Sequence, residues 1–299
     1  MLGRSIKLAG KGFCIGSADV VPGVSGGTMA FILGIYPQLI NAIKSFDTSW
    51  LRSIVKLDMA GIKRPHFSFL IPVGIGVVCA LLFFTRVISL PGLIRTDPEI
   101  IYGLFFGLIL GSIFFLYRHL EKPLQAEHIF FVLLGIGFGV FVVTLVPAST
   151  PDDSWFIFLC GAIAISAMIL PGISGSFILL MMKKYAYIFD AIGNFEMAII
   201  LPFLAGIIVG IVLFSRFLSY LLSHFYRQTI LFIGGLLLAS LYVIWPFQER
   251  VYAVIRDKER LMSSTPYIPE AFTSQAGYAL LMVVIGLGLV ILLELLAEK

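Results

Sequence analysis

The chain has 299 residues, of which 59% are hydrophobic and only 13% charged, and its mean hydropathy is +1.02; these values exclude an ordinary soluble domain of this length. The formal net charge of +4 comes from lysines and arginines placed between apolar runs, and it gives no ground for a nucleic-acid partner. The composition predicts an all-α polytopic membrane protein.

Arg4, Lys7 and Lys11 open the chain. The apolar stretch after them is interrupted and lacks a small-residue cleavage site, so no cleaved signal is expected and the chain is read as mature from Met1. The first apolar region, residues 11–43, contains GSADVVPGVSGGTMAFILGIYPQLI, with Asp19, Pro22 and several glycines where a spanning helix should run unbroken. Residues 44–66 carry Trp50, Leu51, Ile54, Val55 and Ile62 along one side, which predicts an amphipathic helix lying in the membrane interface. Plain apolar runs near the ~20 residues needed to cross hydrocarbon follow at 67–90, 99–117 and 128–146. A second interrupted region, 154–192, holds LPGISGSFILL; three more plain runs occupy 198–222, 229–245 and 277–296. Between the last two, Val251, Val254, Ile255, Leu261 and Met262 predict a second amphipathic surface helix. Cys14, Cys79 and Cys160 stand singly inside apolar segments and read as small buried hydrophobes. His66, His119, His128 and His224 fall at segment ends, too scattered for a metal site, and no cofactor is implied.

The two interrupted regions repeat one another. LPGISGSFILL at 170–180 matches VPGVSGGTMAF at 21–31, pairing Pro22 with Pro171 and Ser25 with Ser174 at a spacing of 149 residues. IPVGIGVVCALLFFTRVIS from Ile71 matches LPFLAGIIVGIVLFSRFLS from Leu201, pairing Pro72 with Pro202, Gly76 with Gly206 and Arg86 with Arg216. GLILGSIFF and GLLLASLYV, then IGFG and IGLG, keep the order, so residues 1–150 and 151–299 read as two copies of one unit: an interrupted hairpin (11–43, 154–192) and three spans.

If each interrupted region enters and leaves the membrane on one side, each copy crosses an odd number of times and the copies are inverted. The inverted arrangement puts twelve lysines and arginines on the cytoplasmic side (Arg4, Lys7, Lys11, Lys44, Arg52, Lys56, Lys63, Arg64, Arg118, Lys122, Arg227, Lys299). Seven fall outside (Arg95, Lys183, Lys184, Arg250, Arg256, Lys258, Arg260), several of them beside acidic residues. The bias favours inversion with both termini cytoplasmic. The arms 154–170 and 177–192 are each expected to be a helix of about 25 Å at ~1.5 Å per residue. Irregular backbone at their tips must be covered by protein or line a polar cavity, because unpaired peptide groups in hydrocarbon cost several kcal/mol each.

Past each bend a helix is expected to begin, near Gly27–Thr28 and Ser176–Phe177, presenting free N–H groups and the positive end of its dipole to the tip. Ser25, Gly26, Gly27 and Thr28 in the first copy, and Ser174, Gly175 and Ser176 in the second, offer hydroxyl donors and close backbone approach to an anion. Tight helix packing and simple capping account for the same residues in isolation; their occurrence twice at matching positions favours a binding role. Arg86 and Arg216 stand within apolar spans, where an arginine costs at least ~2.5 kcal/mol, so they are candidates for the anion, with snorkelling to the interface as the alternative. Asp19 has no partner in the repeat, since position 168 is Met; it reads equally as a carboxylate coupling H+ or Na+ movement and as a cap or arginine partner. Lys183 and Lys184 suggest a steering role.

With LPGISGS, the stretch GSADVVPGVSGGTMAFILGIYPQLI resembles the bacterial polyprenyl-phosphate transporter family. The resemblance implies transport of undecaprenyl phosphate, the lipid carrier of cell-wall precursors, from the outer to the cytoplasmic leaflet of the bacterial plasma membrane. It carries over the two tip motifs only. Physically, a polyprenyl tail is at home in hydrocarbon, whereas a phosphate needs a protein path. Two other readings stay open at this point. One is an enzyme like the membrane undecaprenyl-diphosphate phosphatases, which share a PGxS-type motif and duplicated hairpins; here, however, glycine follows each tip serine and Asp19 is the only nearby acid. The other is a transporter of a small soluble anion. The expectation is a transporter without catalytic residues; oligomeric state is not readable.

Overall fold

A computed structural model describes residues 2–20, 24–87, 93, 96–118, 126–144, 150–255, 258–269 and 273–297. In chain order the elements are α1 (Leu2–Asp19), α2 (Gly26–Ile32), α3 (Tyr36–Lys44), α4 (Thr48–Val55), α5 (Met59–Ile62), α6 (Phe67–Arg86), α7 (Pro98–Arg118) and α8 (Ala126–Val143). The second half follows with α9 (Ser154–Ile169), α10 (Gly175–Met181), α11 (Tyr185–Asn194), α12 (Met197–His224), α13 (Tyr226–Val243), β1 (Gln248–Ile255), β2 (Lys258–Pro266) and α14 (Ser274–Ala297).

The described parts of the six plain apolar runs fall on helices α6, α7, α8, α12, α13 and α14, while 88–90 and 145–146 lie outside the described residues. Among the described residues, four of them are long and apolar enough to cross a membrane, through Phe67–Phe84, Met197–His224, Tyr226–Val243 and Ser274–Leu292. Pro98–Phe114, His128–Val143 and Ser154–Ile169 are shorter apolar helices. Their outer faces stay apolar and uncovered: Leu82, Phe141, Leu213 and Val284 are 56–62% exposed. Faces of that kind require hydrocarbon around them, and the fold is that of a helical polytopic membrane protein.

Helix pairing follows small residues. The closest-packed pairs are α1 with α6, α9 with α12, α7 with α14 and α8 with α13. A β-carbon at Gly76 would stand 2.0 Å from the Ala9 carbonyl oxygen, and one at Gly206 would stand 1.9 Å from that of Phe158. Only hydrogen at these positions lets α6 and α12 lie directly against α1 and α9.

Each interrupted region is a helix followed by two short ones. In the first, Gly26 N–H reaches Asp19 and Lys11 Nζ donates to the Leu33 carbonyl at 2.8 Å, so the returning arm runs back alongside α1. Contrary to the single returning helix expected in the second copy, both returning arms break: α2 and α3 meet at Gly34 (φ +67°), and α10 and α11 meet at Lys183 (φ +53°). A left-handed residue ends each short helix, a conformation natural to glycine and tolerated at Lys183.

Two loop expectations need correction. Residues 44–66 form two short helices instead of one, because Asp47 and Asp58 each accept from a first-turn N–H (Trp50 at 2.8 Å, Ala60 at 3.1 Å) and Leu57 takes φ +54° between them. Where the second amphipathic helix was expected, the described residues form two antiparallel strands, Gln248–Ile255 and Lys258–Pro266, with Gln248 opposite Pro266, Ile255 opposite Lys258 and an irregularity at Val251/Tyr252. The spacing of Val251, Val254 and Ile255 suits either structure, but β-branched and aromatic residues concentrated there favour the pleat. The side chains of residues 250–264 lie outside the described residues. The fold is that of a helical membrane protein, as expected, with one antiparallel strand pair among the described residues.

Candidate functional site at the two bends

The first bend builds its own cap. Ser25 is extended (φ −112°, ψ 132°) and its Oγ accepts from Gly27 N–H at 3.2 Å, while Gly26 N–H donates to Asp19 Oδ1 at 2.7 Å. Helix α2 therefore begins with its first two N–H groups already satisfied from within the hairpin. A β-carbon at Gly26 would meet the Asp19 carboxylate at 2.6 Å, so glycine is what allows the carboxylate to sit over the turn. Pro22 and Gly23, at the apex, lie outside the described residues.

The two bends touch. Gly172, at φ +88°, donates its N–H to Thr28 Oγ1 at 2.8 Å. Tyr36 donates to the Ile169 carbonyl at 3.0 Å, and Ser25 reaches the Met168 carbonyl at 3.4 Å. Ser25, Thr28 and Tyr36 are almost wholly buried in this junction. A β-carbon at Gly27 would lie 2.9 Å from the Ile169 oxygen, so Gly27 lets the two hairpins close on each other.

The second bend differs. Ser174 is also extended, but its hydroxyl does not cap α10; it pairs at 2.8 Å with that of Ser176, which is exposed. At the place matching Asp19, Met168 lies over Gly175, where a β-carbon would be 3.2 Å from its Cβ. One bend thus carries an internal carboxylate, and the other carries a thioether with two paired hydroxyls beside it.

Beside the first bend lies a cavity of about 170 Å³ between α1, α2, α3, α9 and α12. Its walls include Ile15, Ile40, Ile43, Ile165, Ile169 and Ile211, and Asp19 is the single ionisable side chain among the described lining residues. Past the cavity, the seam between α3 and α12 is polar: Lys44 Nζ donates to Ser219 Oγ at 3.0 Å, and Ser219 Oγ donates to Asn41 Oδ1 at 3.0 Å.

Of the residues predicted from sequence, Ser25, Gly26, Gly27, Thr28 and Asp19 come together against residues 168–172, with Ser174, Gly175 and Ser176 on the adjoining turn. Arg216 sits half-buried one turn before Ser219 on α12, and among the described residues it has no hydrogen-bond or ion-pair partner. Arg86 ends α6, and its side chain lies outside the described residues. The steering role suggested for Lys184 does not hold. Its side chain is buried, donates to the Thr150 carbonyl at 2.9 Å, pairs with Asp152 and lies 5.3 Å from the Tyr187 ring. Lys184 thereby ties α11 to the start of α9. Sequence reading missed Tyr36, Asn41, Lys44 and Ser219. A signal existed: the 149-residue correspondence continues without a gap past the bends, matching Tyr36 to Tyr185, Asn41 to Asp190 and Phe46 to Phe195.

A family model described as VCA0040-like, undecaprenyl phosphate translocase-like, matches residues 15–262, which include both bends and α12. The chain belongs to this family. Two relatives of this translocase-like chain are each called polyprenyl-phosphate transporter. The one from Vibrio cholerae serotype O1 is 38% identical over 299 residues, covering 97% of this chain and 96% of its own length. The one from Staphylococcus aureus is 32% identical over 256 residues, covering 79% of this chain and 84% of its own. No solved structure matches the translocase-like chain.

Proposed function

We propose that the chain carries a polyprenyl phosphate, undecaprenyl phosphate in the first instance, from the outer to the cytoplasmic leaflet of the bacterial plasma membrane, returning the carrier for further rounds of cell-wall synthesis. The observation that carries this reading is the direct meeting of two Pro-Gly-x-Ser bends inside a bundle whose outer surface is apolar. The names of the two relatives supply the substrate class.

In this reading the interrupted regions are re-entrant hairpins of two inverted repeats. Helix pairing supports the duplication. Under the sequence correspondence α1 matches α9 and α6 matches α12, and α1–α6 and α9–α12 are both close pairs; likewise α7–α14 corresponds to α13–α8. The polyprenyl tail stays in lipid and only the phosphate follows the protein. Ser174, Gly175 and Ser176 offer it hydroxyl and N–H groups that no carboxylate occupies, while Ser25, Gly26, Gly27 and Thr28 form the wall against which that bend moves. Arg86 and Arg216 supply fixed positive charge, and the arginine fork suits two phosphate oxygens. Asp19 is the group through which an ion gradient acts, since its charge rests on the bend itself.

The test is leaflet-resolved movement of labelled undecaprenyl phosphate in proteoliposomes. Arg86→Ala and Arg216→Ala are each expected to lower the rate at least tenfold. Normal rates in both variants would remove the arginines from the path, and release of inorganic phosphate by the wild type would replace transport with hydrolysis.

A further inference from the structure

The structure assigns the cavity beside the first bend to the isoprene unit that bears the phosphate, an inference that rests on the polyprenyl-phosphate reading above. Three features of the cavity argue for this occupant: its walls, its size and its one charge.

The walls are branched aliphatics, six isoleucines joined by Leu39 and Met168. They offer no hydrogen bond to an ester or a glycerol oxygen, so a glycerophospholipid, whose first carbons carry two esters, would lose hydration there without compensation. An isoprene unit has no such groups. As for size, a cavity of about 150 Å³ lined by Leu, Ile and Phe is known to accept benzene, and the cavity here is about 170 Å³. That suits one branched five-carbon unit and leaves the rest of the tail in lipid.

Asp19 decides the direction of entry. Its carboxylate is held on Gly26 N–H at 2.7 Å and Asp19 is part of the cavity lining, so a phosphate is disfavoured at that end and stays at the mouth away from the bend. Positive charge lies past the cavity on the α3–α12 seam: Lys44 donates to Ser219 there, and Arg216 stands three residues before Ser219 on α12. Among the described residues neither cation meets a carboxylate, and the neutral Ser219 hydroxyl is the partner of Lys44. Together the cavity and these cations recognise a phosphate monoester attached directly to a branched hydrocarbon, and Lys44 joins Arg216 as a head-group contact. The cavity is then what separates a prenyl phosphate from phosphatidic acid, whose terminal phosphate is chemically the same.

The experiment is competition against labelled farnesyl phosphate on the full chain in nanodiscs, with geranyl phosphate and n-decyl phosphate as competitors of equal carbon number. Geranyl phosphate is expected to compete at a concentration about tenfold lower, the low end of what one methyl group decides in a hydrophobic pocket. Ile211→Trp fills the cavity and should bring the two competitors to parity; Ile43→Ala widens it and should narrow the difference without demanding that a larger side chain fit. Equal competition in the wild type, or a preference that survives both substitutions, would overturn the assignment while leaving transport as measured in proteoliposomes untouched. Failure of transport with the prenyl preference intact would instead overturn the transport reading and keep the binding site.

Discussion

Asp19 and Met168 stand at matching places over matching glycines, and their difference in chemistry sets what each bend has left to offer. The carboxylate answers Gly26 N–H from within the hairpin, whereas Met168 has no acceptor to offer Gly175 in that way. This separates two roles that the sequence left equal. Asp19→Asn keeps an oxygen for Gly26 and is expected to leave thermal stability in detergent within about 0.5 kcal/mol. Asp19→Leu strands the N–H and should cost about 1–3 kcal/mol. If the charge also couples transport to an ion gradient, Asp19→Asn folds normally but loses the acceleration that a pH gradient gives the wild type in proteoliposomes; an unchanged response would leave Asp19 a cap only. The position was visible in sequence as the odd residue in a repeat. Its partner was not, because an N–H seven residues away becomes a neighbour only once the bend is formed.

The returning helices α3 and α11 show the same asymmetry one level up. Ile40 on α3 is 1% exposed against its neighbours, whereas the matching Phe189 on α11 is 44% exposed. α3 lies on α12 and is tied there through Lys44, Ser219 and Asn41. Backbone amides of α3 are therefore expected to exchange with solvent more slowly than those of α11, and Ser219→Ala should speed exchange in α3 by severalfold while leaving α11 unchanged. Equal protection of the two helices in the wild type would show that the seam does not hold α3. Hydrophobic runs were enough to expect the long helices, since a span needs only length and apolarity. The strand pair Gln248–Ile255 and Lys258–Pro266 escaped the same reasoning because three apolar residues at ambiguous spacing do not distinguish a helical face from a pleat.

Across the whole molecule the bundle is organised by crossings at small residues, with α1 on α6 and α9 on α12 as a matched set. Gly206→Leu places a side chain where 1.9 Å separates a β-carbon from the Phe158 carbonyl, so it should part α9 from α12 and abolish recovery of monodisperse protein from detergent; Gly137→Leu, with open space around the glycine, should not. Normal recovery of Gly206→Leu would mean that this crossing is not needed for the fold. Amino-acid order alone determined that the chain lives in a membrane, where its long helices run, where the chain must bend and to which family it belongs, because each of these follows from local apolarity, from residues that cannot continue a helix, or from motifs read in a line. Tertiary structure alone decided that the hydroxyls of Ser25 and Thr28 face the opposite bend, that Lys184 is tied down by Asp152, and that six isoleucines from four helices line one cavity beside Asp19. Those outcomes depend on which distant backbone groups arrive within hydrogen-bonding reach, and sequence spacing carries no record of that.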